Sequence, residues 1–147
     1  MVDQIFGLTY REEGFAFQNV PFEGILGLSF PTIAKSNSVP FFDNVISHNL
    51  LKYNIFSIYL SENESSSADG RGAAQGSNIL FGKVEKSHMK GNFTFIPVVS
   101  QTYWEIEIDE IKIGSLNTNY CSILRQETGR CGVAIDSGTS LYAGPSK

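Results

Sequence analysis

The chain has little cysteine, little histidine and no surplus of positive charge, and each shortage narrows the functions open to it. Eleven Lys and Arg face fifteen Asp and Glu across 147 residues, a formal charge of −4, and the basic residues form no block. Without a basic patch there is no electrostatic footprint for DNA, RNA or an anionic membrane surface, so nucleic-acid binding is disfavoured. Long apolar runs are missing too. None approaches the ~20 residues of a membrane-spanning helix, and Met1-Val2-Asp3-Gln4 lacks the basic start and apolar centre of a signal peptide. The expectation is a soluble chain with no membrane-spanning segment. The two histidines, His48 and His88, have no partner four residues on, so they read as surface or cap residues; no metal site and no cofactor are expected. Gly-Lys-Ser/Thr of a phosphate loop is absent, and Gly138-Thr139-Ser140-Leu141-Tyr142 carries tyrosine where a serine hydrolase elbow needs its second glycine.

The two cysteines, Cys121 and Cys131, enclose nine residues that include Thr128-Gly129, which invites a local disulfide. Two free thiols in a reducing compartment are the alternative. The triplets Asn63-Glu64-Ser65 and Asn92-Phe93-Thr94 make Asn63 and Asn92 candidate glycosylation acceptors, and they lean towards a secretory or endomembrane route.

What the chain does have is apolar residues (41%, with 12% aromatics), enough for a compact folded domain. They cluster in short runs between turn signals, at Ile5 to Leu8, Ile25 to Leu28, Ile55 to Leu60, Ile79 to Gly82 and Phe93 to Val99, which predicts a mostly β structure. From Trp104 to Ile113 apolar and charged residues alternate, with the phase broken at Asp109-Glu110, so a half-buried strand with a bulge is expected. One short helix is predicted over Pro40 to Leu51, where apolar residues recur at three-to-four spacing behind a proline suited to a first turn. Ser61 to Ser77, rich in Ser and Gly, is expected to be a mobile surface loop.

The remaining chemistry sits near the end. Asp136 follows the apolar Val133-Ala134-Ile135 and opens the turn Ser137-Gly138-Thr139-Ser140, whose hydroxyls can fix a carboxylate while Gly138 allows close backbone approach. Taken alone, the pentapeptide is equally an Asx-turn that caps a bend.

The run Val133 to Pro145 resembles the second active-site motif of pepsin-like aspartic proteases, two hydrophobic residues followed by Asp-Thr/Ser-Gly-Thr/Ser/Ala. Pro21-Phe22-Glu23-Gly24-Ile25-Leu26-Gly27-Leu28 is similar to that family's Phe-Asp-Gly-Ile-Leu-Gly-Leu stretch, and Val39 to Asn44 to its Pro-x-Phe-Asp-Asn helix start. Phe56 to Leu60, Ile79 to Gly82 and Tyr103 to Ile106 follow in the family's order, and Cys121 and Cys131 fall where many members carry a small disulfide loop. The resemblance implies a mostly β, bilobal acid protease fold, of which residues 1–85 would be the later part of the first lobe and 86–147 the beginning of the second, with the inter-lobe crossing through a shared sheet around Lys83 to Gly91. It implies an aspartic endopeptidase acting on peptide or protein substrates through two aspartates and a water. Asp136 would be the second-lobe aspartate, Ser137, Gly138 and Thr139 would hold substrate backbone, Phe22 and Ile25 would line an apolar pocket, and Tyr103 would lie on the leaving-group side. Secreted, lysosomal or vacuolar residence is implied with it. The sequence holds no second Asp-Thr/Ser-Gly, and Met1 to Leu8 already resembles sequence beyond the first aspartate and the flap tyrosine. The chain therefore reads as a central fragment, expected to be inactive without the remainder of its two lobes. A non-catalytic peptide-binding or interaction protein of the same fold is the alternative.

Overall fold

A computed structural model of the chain describes residues 3–11, 22, 24–61, 76–139 and 141–144. The chain divides into two compact units, Met1–Leu28 with Phe41–Phe93 and Ser29–Pro40 with Thr94–Lys147. Regular structure among the described residues is antiparallel β, in seven short strands, with two short α-helices.

The first unit is organised by an aromatic cluster. Helix α1 (Phe41–Ser47) starts directly after Pro40, whose fixed φ suits a helix entry, and carries Asp43 in its first turn, where a negative charge favours the helix dipole. Its end is a Schellman motif: Asn49 takes φ +52°, its N–H donates to the Ile46 carbonyl (2.9 Å), and Leu50 N–H donates to the Val45 carbonyl (3.2 Å). The His48 ring adds an Nδ1 contact to the Asn44 carbonyl at 2.9 Å, so this histidine caps the helix. Strands β1 (Phe56–Tyr59) and β2 (Asn78–Phe81) pair with Phe56 opposite Phe81 and Tyr59 opposite Asn78. Phe42 and Val45 are buried, and the Phe42 ring meets Phe56 edge-on at 5.0 Å while Phe41 meets Phe81 at 5.5 Å. Edge-to-face rings of this kind add to the simple burial of area, and here they pack α1 onto the hairpin.

In the second unit, strands β3 (Ser100–Gln101), β4 (Trp104–Glu107) and β7 (Gly132–Ala134) form one sheet in the order β3-β4-β7. Phe30 covers it, with its ring 4.7 Å from that of Trp104 and its N–H donating to the Thr102 carbonyl. Strands β5 (Lys112–Ile113) and β6 (Leu116–Asn117) make a separate hairpin that leads into helix α2 (Tyr120–Thr128). The Cys121–Cys131 disulfide ties α2 to the residue before β7, and both cysteines are fully buried.

The structure departs from the sequence expectations in several places. Helix α2 was not expected, since the only predicted helix lay over Pro40 to Leu51. Gly129 takes φ +83° as a helix stop, its N–H donating to the Arg125 carbonyl at 2.9 Å. At Asp109-Glu110 there is no bulge: the chain leaves the sheet after Glu107, and Arg125 captures the freed carbonyls of Ile108 (2.6 Å) and Asp109 (2.9 Å). The apolar runs Ile5 to Leu8, Ile25 to Leu28 and Phe93 to Val99 are not strands among the described residues. Lys83 to Gly91, expected to cross through a shared sheet, contains a 3-10 turn at Lys86–His88 and no strand. The His88 ring stacks on Tyr59 at 3.8 Å. The expected loop at Ser61 to Ser77 lies mostly outside the described residues, as does Asn63; its base is closed where Ser61 N–H donates to Ser77 Oγ at 3.0 Å.

Candidate active site

Strand β7 carries the candidate aspartate. Ala134 pairs with Glu105 and Val133 with Ile106, and the ladder continues one step further where Ile135 N–H donates to the Trp104 carbonyl at 3.0 Å. The apolar β-branched residues hold the strand against β4 up to that point. Asp136 is the first residue beyond the sheet, so its position is set by the last rung.

The turn then closes back on the carboxylate. Gly138 N–H donates to Asp136 Oδ1 at 2.9 Å, and the Thr139 hydroxyl donates to Oδ2 at 2.5 Å. Each carboxylate oxygen thus receives one donor, and the group remains exposed to solvent. A Cβ at position 138 would lie 3.2 Å from Oδ1, so a larger residue there would push this carboxylate oxygen back by a few tenths of an ångström. The Thr139 hydroxyl, and after it the Gly138 N–H, hold the Asp136 carboxyl below the ordinary aspartate range, because both bonds favour the charged form over a small opposing effect of burial. The Oδ1 bond is an Asx-turn in its own right. The two readings of the pentapeptide are therefore one geometry, since the bend-forming bonds are also the ones that fix the carboxylate.

Ser137 makes no hydrogen bond to the carboxylate among the described residues, and Ser140 lies outside them; Thr139 is the hydroxyl that reaches it. Tyr103 is exposed in the β3–β4 turn, next to the Trp104 whose carbonyl holds Ile135. Phe22 and Ile25 are exposed and belong to the other compact unit. Asn92 is exposed, in keeping with the access a glycan needs. Among the described residues no three His, Cys, Asp or Glu side chains converge as metal ligands, and no helix is long and apolar enough to cross a membrane.

Glu110 was missed by the sequence reading. Its Oε1 accepts from the N–H of Ile111 (3.0 Å), the N–H of Cys121 (3.0 Å) and the Thr118 hydroxyl (3.3 Å). The Cys121 N–H is the largest of the influences that lower its carboxyl below the ordinary glutamate range, against an opposing effect of burial. The phase break at Asp109-Glu110 was its only signal: a charged residue leaving the strand alternation has somewhere else to go.

The family model described as "Eukaryotic aspartyl protease" matches residues 1–147. The chain belongs to that family. Among curated aspartyl protease relatives it is 38% identical over 144 residues to "Pepsin A" of Rhinolophus ferrumequinum, covering 98% of this chain and 33% of that protein. It is 37% identical over 146 residues to "Cathepsin E" of Oryctolagus cuniculus (99% and 33%) and 38% identical over 144 residues to "Cathepsin E-A" of Xenopus laevis (98% and 33%). The chain spans about a third of the length of these relatives. A β-rich, pepsin-like fold and a local disulfide between Cys121 and Cys131 are what membership and structure give together.

Proposed function

We propose that the complete protein containing this chain is an aspartic endopeptidase and that Asp136 is one of its two catalytic carboxylates. One observation carries the reading: at the end of β7 an exposed carboxylate is fixed by the Gly138 N–H and the Thr139 hydroxyl, in a chain matched throughout by the aspartyl protease family. Two facing carboxylates cannot comfortably both ionise, so the pair shares a proton. The ionised member takes a proton from the water that attacks the scissile carbonyl carbon, and the protonated member gives its proton to the carbonyl oxygen. The two donors on Asp136 stabilise its ionised form, which suits it to the base.

Gly138 and Thr139, with Ser137, would hold the substrate backbone; Phe22 and Ile25 would line an apolar side-chain pocket and Tyr103 would flank the leaving group. Residues 1–85 would close the first lobe and 86–147 open the second. The chain contains one Asp-Ser-Gly, and one carboxylate cannot run a two-carboxylate reaction, so these 147 residues alone are inactive. The buried disulfide supports passage through an oxidising compartment, hence a secretory or endomembrane route, with Asn92 and Asn63 as glycan acceptors. Replacing Asp136 by Asn in the complete protein tests the reading: peptide hydrolysis at acidic pH is lost. Retained hydrolysis would refute the role given to Asp136, and a wild-type protein that binds peptide without cleaving it would point to the non-catalytic binding protein of the same fold.

A further inference from the structure

Helix α2 takes only part of its cap from the adjoining sequence: the Tyr120 N–H donates to Thr118 Oγ1 at 3.3 Å. Asn119, at its N-cap position, is left-handed (φ +57°) and gives no side-chain cap, although the first N–H groups of any helix need an acceptor. For the second helical N–H the acceptor is Glu110, eleven residues before Cys121: Oε1 takes the Cys121 N–H at 3.0 Å and Oε2 lies 3.5 Å from the Ser122 hydroxyl.

The first turn of α2 touches the chain on both sides of Asp136. Upstream, the disulfide joins Cys121 to Cys131, whose carbonyl accepts the Ile108 N–H at 3.0 Å and which leads directly into β7. Downstream, the buried Tyr120 hydroxyl lies against Gly144, 3.7 Å from where a Cβ would stand there. Arg125, one turn on, fixes the same helix to the carbonyls of Ile108 and Asp109. A displacement of the first turn of α2 is therefore transmitted to the strand that delivers Asp136 and to the segment that follows its turn.

We propose that Glu110 is a positioning residue for Asp136: by capping α2 from outside the helix it holds the disulfide-linked brace that anchors the start of β7, the strand leading to Asp136. The proposal rests on the catalytic role given above to Asp136. Glu110 touches neither Asp136 nor, on this account, substrate, and its effect on turnover runs through Cys121, Cys131 and β7.

The test uses the complete protein with Glu110→Gln, which keeps an acceptor and loses the charge, and Glu110→Ala, which loses both. Hydrogen exchange is followed at the amides of Cys121, of Ile135 and, as an internal control, of Leu80 in β2; kcat and KM are measured on a peptide substrate. In the Ala variant, exchange at Cys121 and Ile135 rises about fivefold with Leu80 unchanged, as loss of a helix cap would give. Turnover falls severalfold through kcat with KM held, and Gln rescues part of both effects. Faster exchange at Cys121 without a change at Ile135 overturns the proposal, as does unchanged kcat. If the wild-type protein cleaves no peptide, the protease reading fails, and exchange at Ile135 decides the brace by itself. Should these two variants not fold, Glu110→Asp keeps the charge but shortens its reach to the Cys121 N–H and gives the comparison in milder form.

Discussion

Replacing both Cys121 and Cys131 by alanine should loosen α2 far more than it loosens the rest of the protein. The bridge closes a loop with a sequence separation of 10. In the chain-entropy picture a loop of that size loses about 9 cal/mol/K when cross-linked, or about 2.7 kcal/mol at 25 °C. The Glu110 and Arg125 contacts remain in the variant, so α2 can still form, but each opening of the 121–131 segment gains the freed loop entropy. That converts to about a hundredfold faster exchange for amides protected by α2, such as Gly129, which donates to the Arg125 carbonyl. The amides of β1 and β2 belong to the other compact unit and act as the reference. Hydrogen exchange of the complete protein, wild type against the double variant under non-reducing conditions, reads both. Acceleration of less than about threefold at Gly129 would refute the entropic argument. Equal acceleration at Ser57 and Leu80 would refute its local character.

Thr139→Val removes the stronger of the two donors to Asp136 at nearly constant volume. The Asp136 pKa then rises towards the ordinary aspartate value, and the acid limb of kcat/KM moves to higher pH; an unmoved limb would contradict the assignment. The stability effect has a matching sign. A depressed carboxyl stabilises the fold above its unfolded pKa and loses that contribution as pH falls through the folded value, so the variant should unfold in acid at higher pH than the wild type. Tyr120→Phe deletes a buried hydroxyl that has no hydrogen-bond partner among the described residues. Since an unsatisfied buried polar group costs about 1–3 kcal/mol, the melting temperature should hold or rise, and a clear drop would show that the hydroxyl is satisfied in the complete protein.

The parts of the fold legible in the sequence are those whose signals are local. Helix α1 has a proline at its entry, apolar residues at helical spacing and an asparagine that accepts the left-handed turn at its end. β1, β2 and β4 are short apolar or alternating runs that pair in antiparallel register. Helix α2 was illegible because its cap is partly tertiary: Asn119 gives none, Thr118 reaches only the Tyr120 N–H, and the acceptor for the Cys121 N–H is Glu110, in the segment where the strand alternation fails. Residues after the cap did carry a readable signal, since Leu124 to Glu127 are good helix formers and Gly129 is a good stop. The apolar runs at Ile5 to Leu8 and Ile25 to Leu28 show the converse error. Composition gives a segment the capacity to be a strand, but a strand also needs a ladder. At the site, the motif located Asp136 and the turn that holds it. It could not tell which hydroxyl does the holding, because the reach of Ser137 or Thr139 depends on how the turn closes.

The central claim is most directly tested by the pH–rate profile of the complete protein on a peptide substrate, with Asp136→Asn measured alongside. The account predicts hydrolysis at acidic pH in the wild type. In the variant it predicts at least the 10²- to 10⁴-fold loss expected on removing a general acid–base group, with peptide binding retained. A variant that keeps more than about a tenth of the wild-type rate, beyond the loss any such group would allow, would contradict the assignment of Asp136 as a catalytic carboxylate.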